Sequence, residues 1–513
     1  MGRDAGRALV HLTKTPMTLA FSWAEWARLR ALEIAELVRR GAVTRDEVAA
    51  QAAAAVRRVD PLLAAAVEIR DQPHAPGDID LPAAAYQGLL AGVPLYLKDL
   101  GSSAAGLARE LGSSLHEGEL TARTDPLVAA WLREGASLLG RTTTAELGMA
   151  YDTSTSYGGL RVTRNPWDPR RTAGGSSGGA AALVAAGALP AAHATDGAGS
   201  IRVPAAFTAC VGLKLTRGRL PPQWGVNELA NSTFGEGVIS RTLEDSALFL
   251  DAATRSPAPL GSHYVALPHD PSRALTSLAE PLPRPLRVGV TTHAFGRGAA
   301  PDPQRLAVVT RAADALSNAG HVVEPIAEGS LPDWAPLYRR FETLWAGIRA
   351  GSWRLRHGEL SQEALQRLSP MVRGFWQRSE RYGKPELLRY LAGNAETTLR
   401  FAQLLERYDV LLLPAFPVAP PDANTSLSTC VEQDFEEFLQ RFLDAGRYTI
   451  PANEAGLPAL ALPIAFDDAA LPLAVQLYGR WRGEAELLRA GRALEQLLPL
   501  PARIPTVHVT HGP

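Results

Sequence analysis

The chain has 513 residues, of which 46% are hydrophobic and 20% are charged, and its formal net charge at pH 7 is −1. This composition is typical of a folded globular protein and allows one large domain or two to three ordinary ones. Since the near-neutral charge lacks the basic excess of nucleic-acid and anionic-membrane surfaces, we expect neither class of partner.

The two cysteines, Cys210 and Cys430, are too few to organise the fold through disulfides, which fits a reducing compartment. No apolar run reaches the roughly 20 residues that cross a bilayer, and the N-terminus lacks the apolar stretch of a secretory signal. We therefore expect a cytoplasmic protein. Residues 1–20 are predicted to form a disordered leader, and the sequence leaves open whether translation starts at Met1 or near Met17.

The first part of the chain alternates helical and strand patterns. Residues 22–67 have helical spacing, and a helix is predicted to start at Thr44, where Glu47 completes a capping box three residues later. The apolar run GLLAGVPLYLKDL predicts a short strand that ends at Lys98 and Asp99. A helix is then predicted over 126–139, running into the buried segment SLLGRTT.

Small residues become frequent after the polar stretch 154–172, which is predicted to be irregular. The segment GGSSGGAAALVAAGALP predicts a closely packed helix, and AAHAT predicts a short strand. Further strands are predicted at 286–290, 410–413, 459–463 and 473–477. Because helical patterns separate these strands, we predict the α/β class, with one large domain whose central mixed sheet is covered by helices on both faces. This domain spans 21–500, its core at 80–260 carries the catalytic candidates, and 501–513 form a C-terminal tail.

Aromatic side chains are concentrated in the helical segment 334–408, which we interpret as an insert near the substrate entrance. They are Trp345, Trp353, Phe375, Trp376, Tyr382 and Tyr390. The favoured interpretation is that these aromatics pack the insert's own small core. The alternative is that some of them form the wall of an entrance for an apolar acyl group.

Glycine and serine are concentrated at 174–179 and again at 197–200. No Gly-Lys-Ser/Thr follows, which disfavours a phosphate loop, and the second cluster lacks the third glycine of a dinucleotide fingerprint. The ordered-looking apolar sequence after the first cluster disfavours a flexible linker. The first cluster fits the GxSxG nucleophile elbow, but the proline-containing, charged segment NPWDPRRTA replaces the buried strand that an elbow needs. We therefore reject Ser176 as an elbow nucleophile.

A better nucleophile candidate is Ser200, in the segment ATDGAGSIR. The small residues Gly197, Ala198 and Gly199 allow several backbone N–H groups to converge on one point, as an oxyanion hole requires. Such a serine also needs a base. His193 is close in sequence, but on a short strand we interpret it as a core histidine.

Lys98 is the better candidate for the base. It follows the apolar run VPLYL, which would bury its stem and its amine. Burial disfavours the ammonium form and lowers a lysine pKa, in documented cases to around 5–6, so that the neutral amine accepts a serine proton. The alternative of a solvated charge at a strand end stays open, because the sequence alone does not show that Lys98 meets Ser200.

Taken together, these segments resemble the amidase signature family. The matching segments are GVPLYLKDL, GRTTTAELG, YGG followed by NPWD, GGSSGGAAALVAAGALP, TDGAGSIRVPAAFTACVGLKLTRGR, NEAGLPALALPIAF and LPLAVQLYG. The resemblance covers residues 23–496, nearly the whole chain, and as a motif set it is highly specific.

The resemblance implies a Ser–cis-Ser–Lys triad. Ser200 would attack the amide carbonyl and form an acyl-enzyme, Ser176 would relay the proton from a position held by a cis peptide, and Lys98 would be the base. The 24 residues from relay to nucleophile match the family's motif. The resemblance also assigns the oxyanion hole to the amides of Gly197, Ala198, Gly199 and Ser200, and supporting roles to Ser177, Asp196 and Arg202.

Two departures from the family pattern bear on function. Ala198 stands where the family commonly has glycine, which keeps the N–H group but alters the pocket floor, and Val203 stands where the A-type chains of glutamyl-tRNA amidotransferases usually have glutamine. Both favour a stand-alone hydrolase, similar to enzymes that cleave cyclic and aryl amides, over a component of an amidotransferase. A catalytically inactive receptor on the same fold is a third alternative, which the presence of Lys98, Ser176 and Ser200 disfavours.

We expect a small-molecule amide substrate, with an esterase side activity because both reactions share an acyl-enzyme. The aromatic insert favours an apolar or aryl acyl group, but the resemblance does not identify the substrate. No metal ligands occur at telling spacing, and the mechanism needs no cofactor. The sequence does not determine the oligomeric state, and a homodimer would be unsurprising.

Overall fold

Helices and strands alternate through the computed structural model, which describes residues 19–81, 87–156, 159–220, 223, 233–255, 273–293, 298 and 300–511. The strands are β1 (Ala66–Ile69), β2 (Pro94–Lys98), β3 (Ser137–Thr142), β4 (Ser154–Thr155), β5 (Arg161–Val162), β6 (Ala191–Asp196), β7 (Val211–Lys214), β8 (Gly235–Ser240), β9 (Arg287–Val290), β10 (Val322–Pro325), β11 (Val410–Pro414), β12 (Ala459–Phe466) and β13 (Pro472–Gly479). The helices are α1 (Trp23–Trp26), α2 (Ala31–Arg39), α3 (Arg45–Leu63), α4 (Pro126–Arg133), α5 (Gly178–Ala185), α6 (Arg202–Thr208), α7 (Leu243–Arg255), α8 (Ala274–Leu278), α9 (Pro303–Asn318), α10 (Trp334–Glu342), α11 (Ala350–His357), α12 (Gln362–Gln366), α13 (Pro370–Arg378), α14 (Lys384–Arg407), α15 (Phe435–Ala445), α16 (Ile450–Glu454) and α17 (Glu484–Leu497).

The main sheet has eight strands in the order β10-β9-β11-β13-β12-β7-β8-β6. Strands β10, β9 and β11 run parallel, and the other neighbouring pairs are antiparallel. A second sheet has the order β1-β3-β2, in which β2 and β3 are parallel. The mixed sheet confirms the predicted α/β class.

Alternate residues of β11 point to opposite faces of the main sheet. Leu411 and Leu413 pack in a buried cluster with residues of α10, α13 and α15. Val410 and Leu412 pack in another cluster with residues of α7, α9 and α17. The run VLLL is thus buried on both faces, as expected of a strand with helices above and below. The prediction of a sheet covered by helices on both faces is confirmed.

Several local predictions agree with the structure. At the start of α3, Thr44 Oγ1 accepts the Glu47 N–H at 3.2 Å and Glu47 Oε2 accepts the Thr44 N–H at 2.8 Å, so the capping box is confirmed. Strands β6, β9, β11, β12 and β13 lie where strands were predicted, with β12 and β13 longer at their ends. The stretch 154–172 is mostly irregular, and its described part contains the two-residue strands β4 and β5.

Two helix predictions are too long. The helix predicted over 126–139 ends before Gly135, whose φ of 95° suits a glycine after a helix end, and the chain then forms β3. The helical pattern over 22–67 ends at Leu63. There Ala64 adopts the left-handed conformation and β1 follows.

The aromatic rings of the insert share a core with the catalytic half of the chain. Trp345 stacks on Phe442 with 5.5 Å between ring centroids, and Phe442 stacks on Tyr151 at 4.7 Å. All three belong to one buried cluster that also contains Ala198 and Val203. The interpretation that these aromatics pack a core of the insert's own is therefore wrong, because the rings continue the core around the candidate site.

The two ends of the chain were predicted to form a disordered leader and a C-terminal tail. The predicted leader and the start near Met17 lie almost entirely outside the described residues and stay predictions. In the C-terminal tail, Val507 and Val509 are buried, and the Val509 N–H donates to the Ala186 carbonyl at 2.9 Å, so this segment packs on the main domain. Among the helices in the described part of the chain, none is long and apolar enough to cross a membrane.

Candidate active site

Lys98 is the last residue of β2 and is only 2% exposed. Its Nζ lies 2.7 Å from Ser176 Oγ and 2.8 Å from Thr195 Oγ1, within hydrogen-bond distance of both hydroxyls. The apolar residues before it in β2 are buried throughout, which places the stem and the amine in the interior. The structure thus brings together the predicted base and the predicted relay, and the solvated alternative for Lys98 is excluded.

Ser176 lies in the irregular segment just before α5, and the peptide bond between Gly175 and Ser176 is cis. Two glycines allow this segment to pass close to other backbone. A Cβ on Gly174, whose φ is 83°, would lie 2.8 Å from Pro204 Cα, and a Cβ on Gly175 would lie 2.7 Å from the carbonyl carbon of Tyr151. The two glycines are therefore required by close packing rather than by flexibility.

Ser200 lies in the loop that joins β6 to α6 and is 4% exposed. Thr195, whose hydroxyl is within hydrogen-bond distance of Lys98 Nζ, belongs to the strand that leads into this loop. The structure therefore places the predicted nucleophile on the same short segment that the predicted base contacts.

The loop between Asp196 and Ser200 is held by bonds to its backbone. The Ala198 carbonyl accepts hydrogen bonds from the Tyr151 hydroxyl at 2.8 Å and from Thr449 Oγ1 at 2.5 Å. Gly199 has a φ of 127°, and a Cβ there would lie 2.5 Å from Thr449 Oγ1. Both its dihedral angle and its contact with Thr449 require glycine at position 199.

Asp196 and Arg202 form a fully buried ion pair at the base of this loop. Arg202 Nε donates to Asp196 Oδ2 at 2.9 Å, and Nη2 donates to Oδ1 at 3.0 Å. Burial by itself would raise the pKa of Asp196, but the adjoining guanidinium outweighs it and lowers the pKa to about 2. The carboxylate also accepts the Gly199 N–H at 2.7 Å and the Ile201 N–H at 3.2 Å.

The predicted oxyanion hole stays a prediction. Of the four amides assigned to it, the Gly199 N–H donates to Asp196 Oδ1 at 2.7 Å. Asp196 therefore has a defined structural role, as the acceptor that orients the loop.

The remaining donors of Arg202 connect the loop to the C-terminal part of the chain. Arg202 Nη1 donates to the Thr449 carbonyl at 2.9 Å and to Gln476 Oε1 at 2.6 Å. Nη2 also donates to Asn453 Oδ1 at 2.6 Å, and Asn453 Nδ2 in turn donates to Asp196 Oδ1 at 2.9 Å. A buried charge is tolerated only when its donors are satisfied in this way.

Ser177 and His193 support the site from two sides. Ser177 Oγ donates to the Thr195 carbonyl at 3.2 Å, so it contacts the strand that carries Thr195. His193 is fully buried, as expected of a core histidine, and its Nδ1 accepts the Lys98 backbone N–H at 3.1 Å.

Some residues of the site were not singled out from the sequence. They are Tyr151, Thr195, Thr449, Asn453 and Gln476. Thr195, Asn453 and Gln476 lie within the segments TDGAGSIR, NEAGLPALALP and LPLAVQLYG, respectively. These motifs indicated the region of the site but not these individual residues. Tyr151 and Thr449 lie outside those motifs, and no pattern indicated them.

Comparison with known proteins agrees with this geometry. A sequence model of the amidase family matches residues 49–488. The chain is 31% identical over 481 residues to the putative amidase AmiC of Mycobacterium bovis, covering 92% of this chain and 95% of that protein. It is 32% identical over 488 residues to the 6-aminohexanoate-cyclic-dimer hydrolase of Paenarthrobacter ureafaciens, covering 92% and 95%.

Two further matches bear on function. A solved structure of a 6-aminohexanoate cyclic dimer hydrolase complexed with substrate has a TM-score of 0.82 at 28% identity, covering 95% of this chain and 99% of that chain. The chain is also 31% identical over 439 residues to the A-type chain of a glutamyl-tRNA(Gln) amidotransferase from Picosynechococcus, covering 82% and 87%.

The fold, the site and these matches define an enzyme that hydrolyses amide bonds. The chain belongs to the amidase signature family.

The contact between Gly199 and Thr449 leads to a prediction about position 199. In Gly199→Ala, the added Cβ would overlap Thr449, so the loop must move and its amides lose their alignment. Losing one oxyanion donor reduces a rate about 10²–10³-fold, so we expect at least a 100-fold slower reaction with a fluorophosphonate, measured by intact mass. Ala198→Gly is the matched control and should stay within a few-fold of the wild type. Equal rates for all three proteins would contradict the tight packing.

The Asp196–Arg202 pair leads to a prediction about acid stability. A carboxyl whose pKa is about 2 when folded and near 3.9 when unfolded stabilises the native state above pH 4. We expect about 2–3 kcal/mol of unfolding free energy to be lost as pH falls from about 5 to about 1, since the unfolded state binds the proton first. Urea titrations at several pH values measure this loss. Asp196→Asn should remove this part of the pH dependence of the unfolding free energy. Asp46→Asn, which changes an exposed carboxylate, should leave that pH dependence unchanged.

Proposed function

We propose that this chain is a free-standing amidohydrolase that works through a seryl acyl-enzyme. Ser200 is the nucleophile, Ser176 relays its proton, and Lys98 is the base. The observation that carries the proposal is the 2.7 Å distance between Lys98 Nζ and Ser176 Oγ in a site where all three residues are buried. An amine next to a hydroxyl away from bulk water is the arrangement that proton transfer requires.

In the first half-reaction, neutral Lys98 accepts the Ser176 proton while Ser176 accepts the proton of Ser200. Ser200 Oγ attacks the amide carbonyl carbon, and the carbonyl oxygen becomes an oxyanion. When the C–N bond breaks, the proton returns from Lys98 through Ser176 to the leaving nitrogen. Water then attacks the acyl-enzyme by the same proton path, which releases the acid and restores Ser200.

The oxyanion hole in this proposal consists of the amides of Gly197, Ala198 and Ser200. The Gly199 amide is left out because it donates to Asp196. The bonds from Tyr151 and Thr449 to the Ala198 carbonyl hold the loop in one conformation before substrate binds. Fixed dipoles of this kind stabilise the developing charge because they need not reorganise during the reaction.

For the substrate, we propose a small amide with an apolar or aryl acyl group. Buried aromatic rings, among them Trp345, Phe442 and Tyr151, continue from the insert to the oxyanion loop. One relative is named a 6-aminohexanoate-cyclic-dimer hydrolase, and the apolar methylene chain of a 6-aminohexanoate unit agrees with an apolar acyl group. Esters of the same acids should also react, because they lead to the same acyl-enzyme.

The alternative functions are an A-type component of an amidotransferase and an inactive receptor. The relation to the glutamyl-tRNA(Gln) amidotransferase chain supports the first alternative, and Val203 in place of glutamine argues against it. We also propose a cytoplasmic location, which fits Cys210 and Cys430, both free thiols in this structure.

Fluorophosphonate labelling of the purified full chain, read by intact mass and peptide mapping, tests the proposal. We expect one adduct, on Ser200, and none in Ser200→Ala. Lys98→Ala should react orders of magnitude more slowly near pH 7, because the relay then lacks its base. Ser246→Ala removes a buried serine hydroxyl on α7 and should react like the wild type.

Two outcomes would contradict the proposal. An adduct that persists in Ser200→Ala would assign the nucleophile elsewhere, and near-full reactivity of Lys98→Ala at pH 7 would exclude it as the base. Labelling that requires a co-purifying tRNA-binding partner would favour the amidotransferase alternative. The complete absence of labelling would favour the receptor.

A further inference from the structure

His193 contacts the backbone of the residue that we propose as the base. The Lys98 N–H donates to His193 Nδ1 at 3.1 Å, although the two residues are 95 positions apart. The histidine is fully buried on β6, and the edge of its ring faces Trp131 with 5.8 Å between centroids. Side chains two apart on a strand share a face, so Thr195 lies on the same side of β6 as His193.

These contacts hold Lys98 at two points. His193 accepts the backbone N–H of Lys98, and Thr195 Oγ1 lies 2.8 Å from its Nζ. Gly101 shows how closely the side chains of Thr195, His193 and Glu236 pack against the backbone. Its φ is 109°, and a Cβ there would lie 2.6 Å from Thr195 Cγ2 and 3.1 Å from both His193 Cε1 and Glu236 Oε1.

The hydrogen bond to Lys98 also determines the tautomer of the ring. Because Nδ1 accepts an N–H, its lone pair must be free and the ring proton of neutral His193 must be on Nε2. Nε2 lies 3.4 Å from Glu236 Oε2, the carboxylate beyond the ring. Glu236 Oε1 in turn accepts the Ser102 N–H at 3.1 Å and is also bonded to the Gln223 amide. Lys98, through its backbone N–H, and Glu236, through its carboxylate, both contact the imidazole.

We propose that His193 is a positioning residue for Lys98, oriented by Glu236 as the Nε2–H tautomer. The inference rests on the proposed function, in which Lys98 is the base. The hydrogen bond to the Lys98 backbone fixes where β2 ends and therefore where Nζ meets Ser176 and Thr195. Without it, the amine gains freedom to move toward water, where the ammonium form is better solvated.

The test compares three full-length proteins by their rate of fluorophosphonate labelling from pH 5 to 10. His193→Leu removes the acceptor while keeping an apolar side chain of similar size. We expect at least a 10-fold lower rate at pH 8, with the acid limb of the pH profile moved to higher pH. His193→Asn keeps an oxygen acceptor near the position of Nδ1 and should restore most of the rate and the wild-type profile. Thermal unfolding of each variant separates these effects from loss of structure.

A purely structural histidine would give a different pattern. It would leave the pH profile of His193→Leu at the wild-type position, and the two variants would be equally impaired; either result overturns the inference. The ¹⁵N NMR shifts of the His193 imidazole, assigned by their loss in His193→Asn, show which ring nitrogen carries the proton. This measurement does not depend on enzymatic activity. A protonated Nδ1 overturns the positioning role even in an active enzyme. If the wild type did not label at all, the proposed function would fail, and the tautomer alone would then decide the inference.

A different observation, independent of the chemistry, concerns the outer face of α14. Leu388, Leu391 and Leu399 are 66%, 38% and 59% exposed. Ala395 and Ala402 are also exposed, and the spacing of three and four residues places all five on one face of the helix. We call these five residues the α14 stripe.

The ends of the α14 stripe carry opposite charges. Lys384 lies four residues before Leu388, and Glu406 lies four residues after Ala402; both are exposed. At 1.5 Å per residue, the distance between the two charges is about 33 Å along the helix. When two such helices pair antiparallel about a two-fold axis near Ala395, each Lys384 meets the Glu406 of the other copy and the leucines pack between them.

We infer that a second copy of this chain covers the α14 stripe in an antiparallel helix pair. The opposite charges at the two ends of the α14 stripe favour a second copy as the partner. The same face then supplies both sides of a self-complementary contact. A helix pair alone buries less than the roughly 800 Å² per partner of a stable interface. The dimer is therefore expected to dissociate on dilution.

Analytical ultracentrifugation of the full chain over micromolar concentrations tests this inference. We expect a monomer–dimer equilibrium that Leu388→Glu abolishes. Lys384→Glu and Glu406→Lys should each weaken it at least 10-fold, and the double variant should restore it, because the swapped charges pair again. A wild type that stays monomeric, including one that binds lipid vesicles through these leucines, overturns the inference. A dimer that survives Leu388→Glu, or a double variant as weak as the single ones, also overturns it.

Discussion

The buried ion pair between Asp196 and Arg202 is the interaction on which the candidate site depends. Two charges removed from water are tolerated only when each polar atom finds a partner, and removing one member of such a pair typically costs about 3–5 kcal/mol. Here Arg202 donates to Asp196, to a backbone carbonyl and to the side chains of Asn453 and Gln476. These contacts come from β6, α6, α16 and β13. The ion pair thus joins both ends of the loop that contains Ser200 to the C-terminal part of the main sheet.

The same pair orients the backbone of the loop between Asp196 and Ser200. Asp196 takes the Gly199 N–H, and Tyr151 and Thr449 hold the Ala198 carbonyl, so the peptide groups between them have little freedom. The stack of Trp345, Phe442 and Tyr151 extends this constraint into the helical insert. The insert and the loop therefore share one buried cluster, although the insert is more than 130 residues away in sequence.

Lys98 illustrates how the two sheets cooperate. The small sheet supplies the lysine at the end of β2, and the main sheet supplies Thr195 and His193 from β6. The proposed base is therefore placed by contacts from a strand outside its own sheet. Placing a reactive group on strand ends rather than on a mobile loop favours the fixed geometry that catalysis requires.

The sequence by itself determined the elements that have a local cause. The capping box of α3, the apolar strands β9, β11, β12 and β13, and the glycine-rich motifs around Ser176 and Ser200 were predicted because near neighbours in sequence specify them. Helix ends at Ala64 and Gly135 were missed because a single backbone angle ends each helix without interrupting the apolar pattern. Strands β7, β8 and β10 were missed because short strands depend on their neighbours in the sheet.

Only the tertiary structure decided the contacts across distance. The pairing of Lys98 with Ser176, of Arg202 with Asn453 and Gln476, and of the insert with the oxyanion loop joins residues dozens to hundreds of positions apart. It also directs the Gly199 N–H to Asp196, since the direction of an N–H depends on backbone angles that a motif does not encode. A motif contains the residue types that the chemistry needs. Close packing and hydrogen-bond satisfaction determine the direction of each side chain and backbone amide.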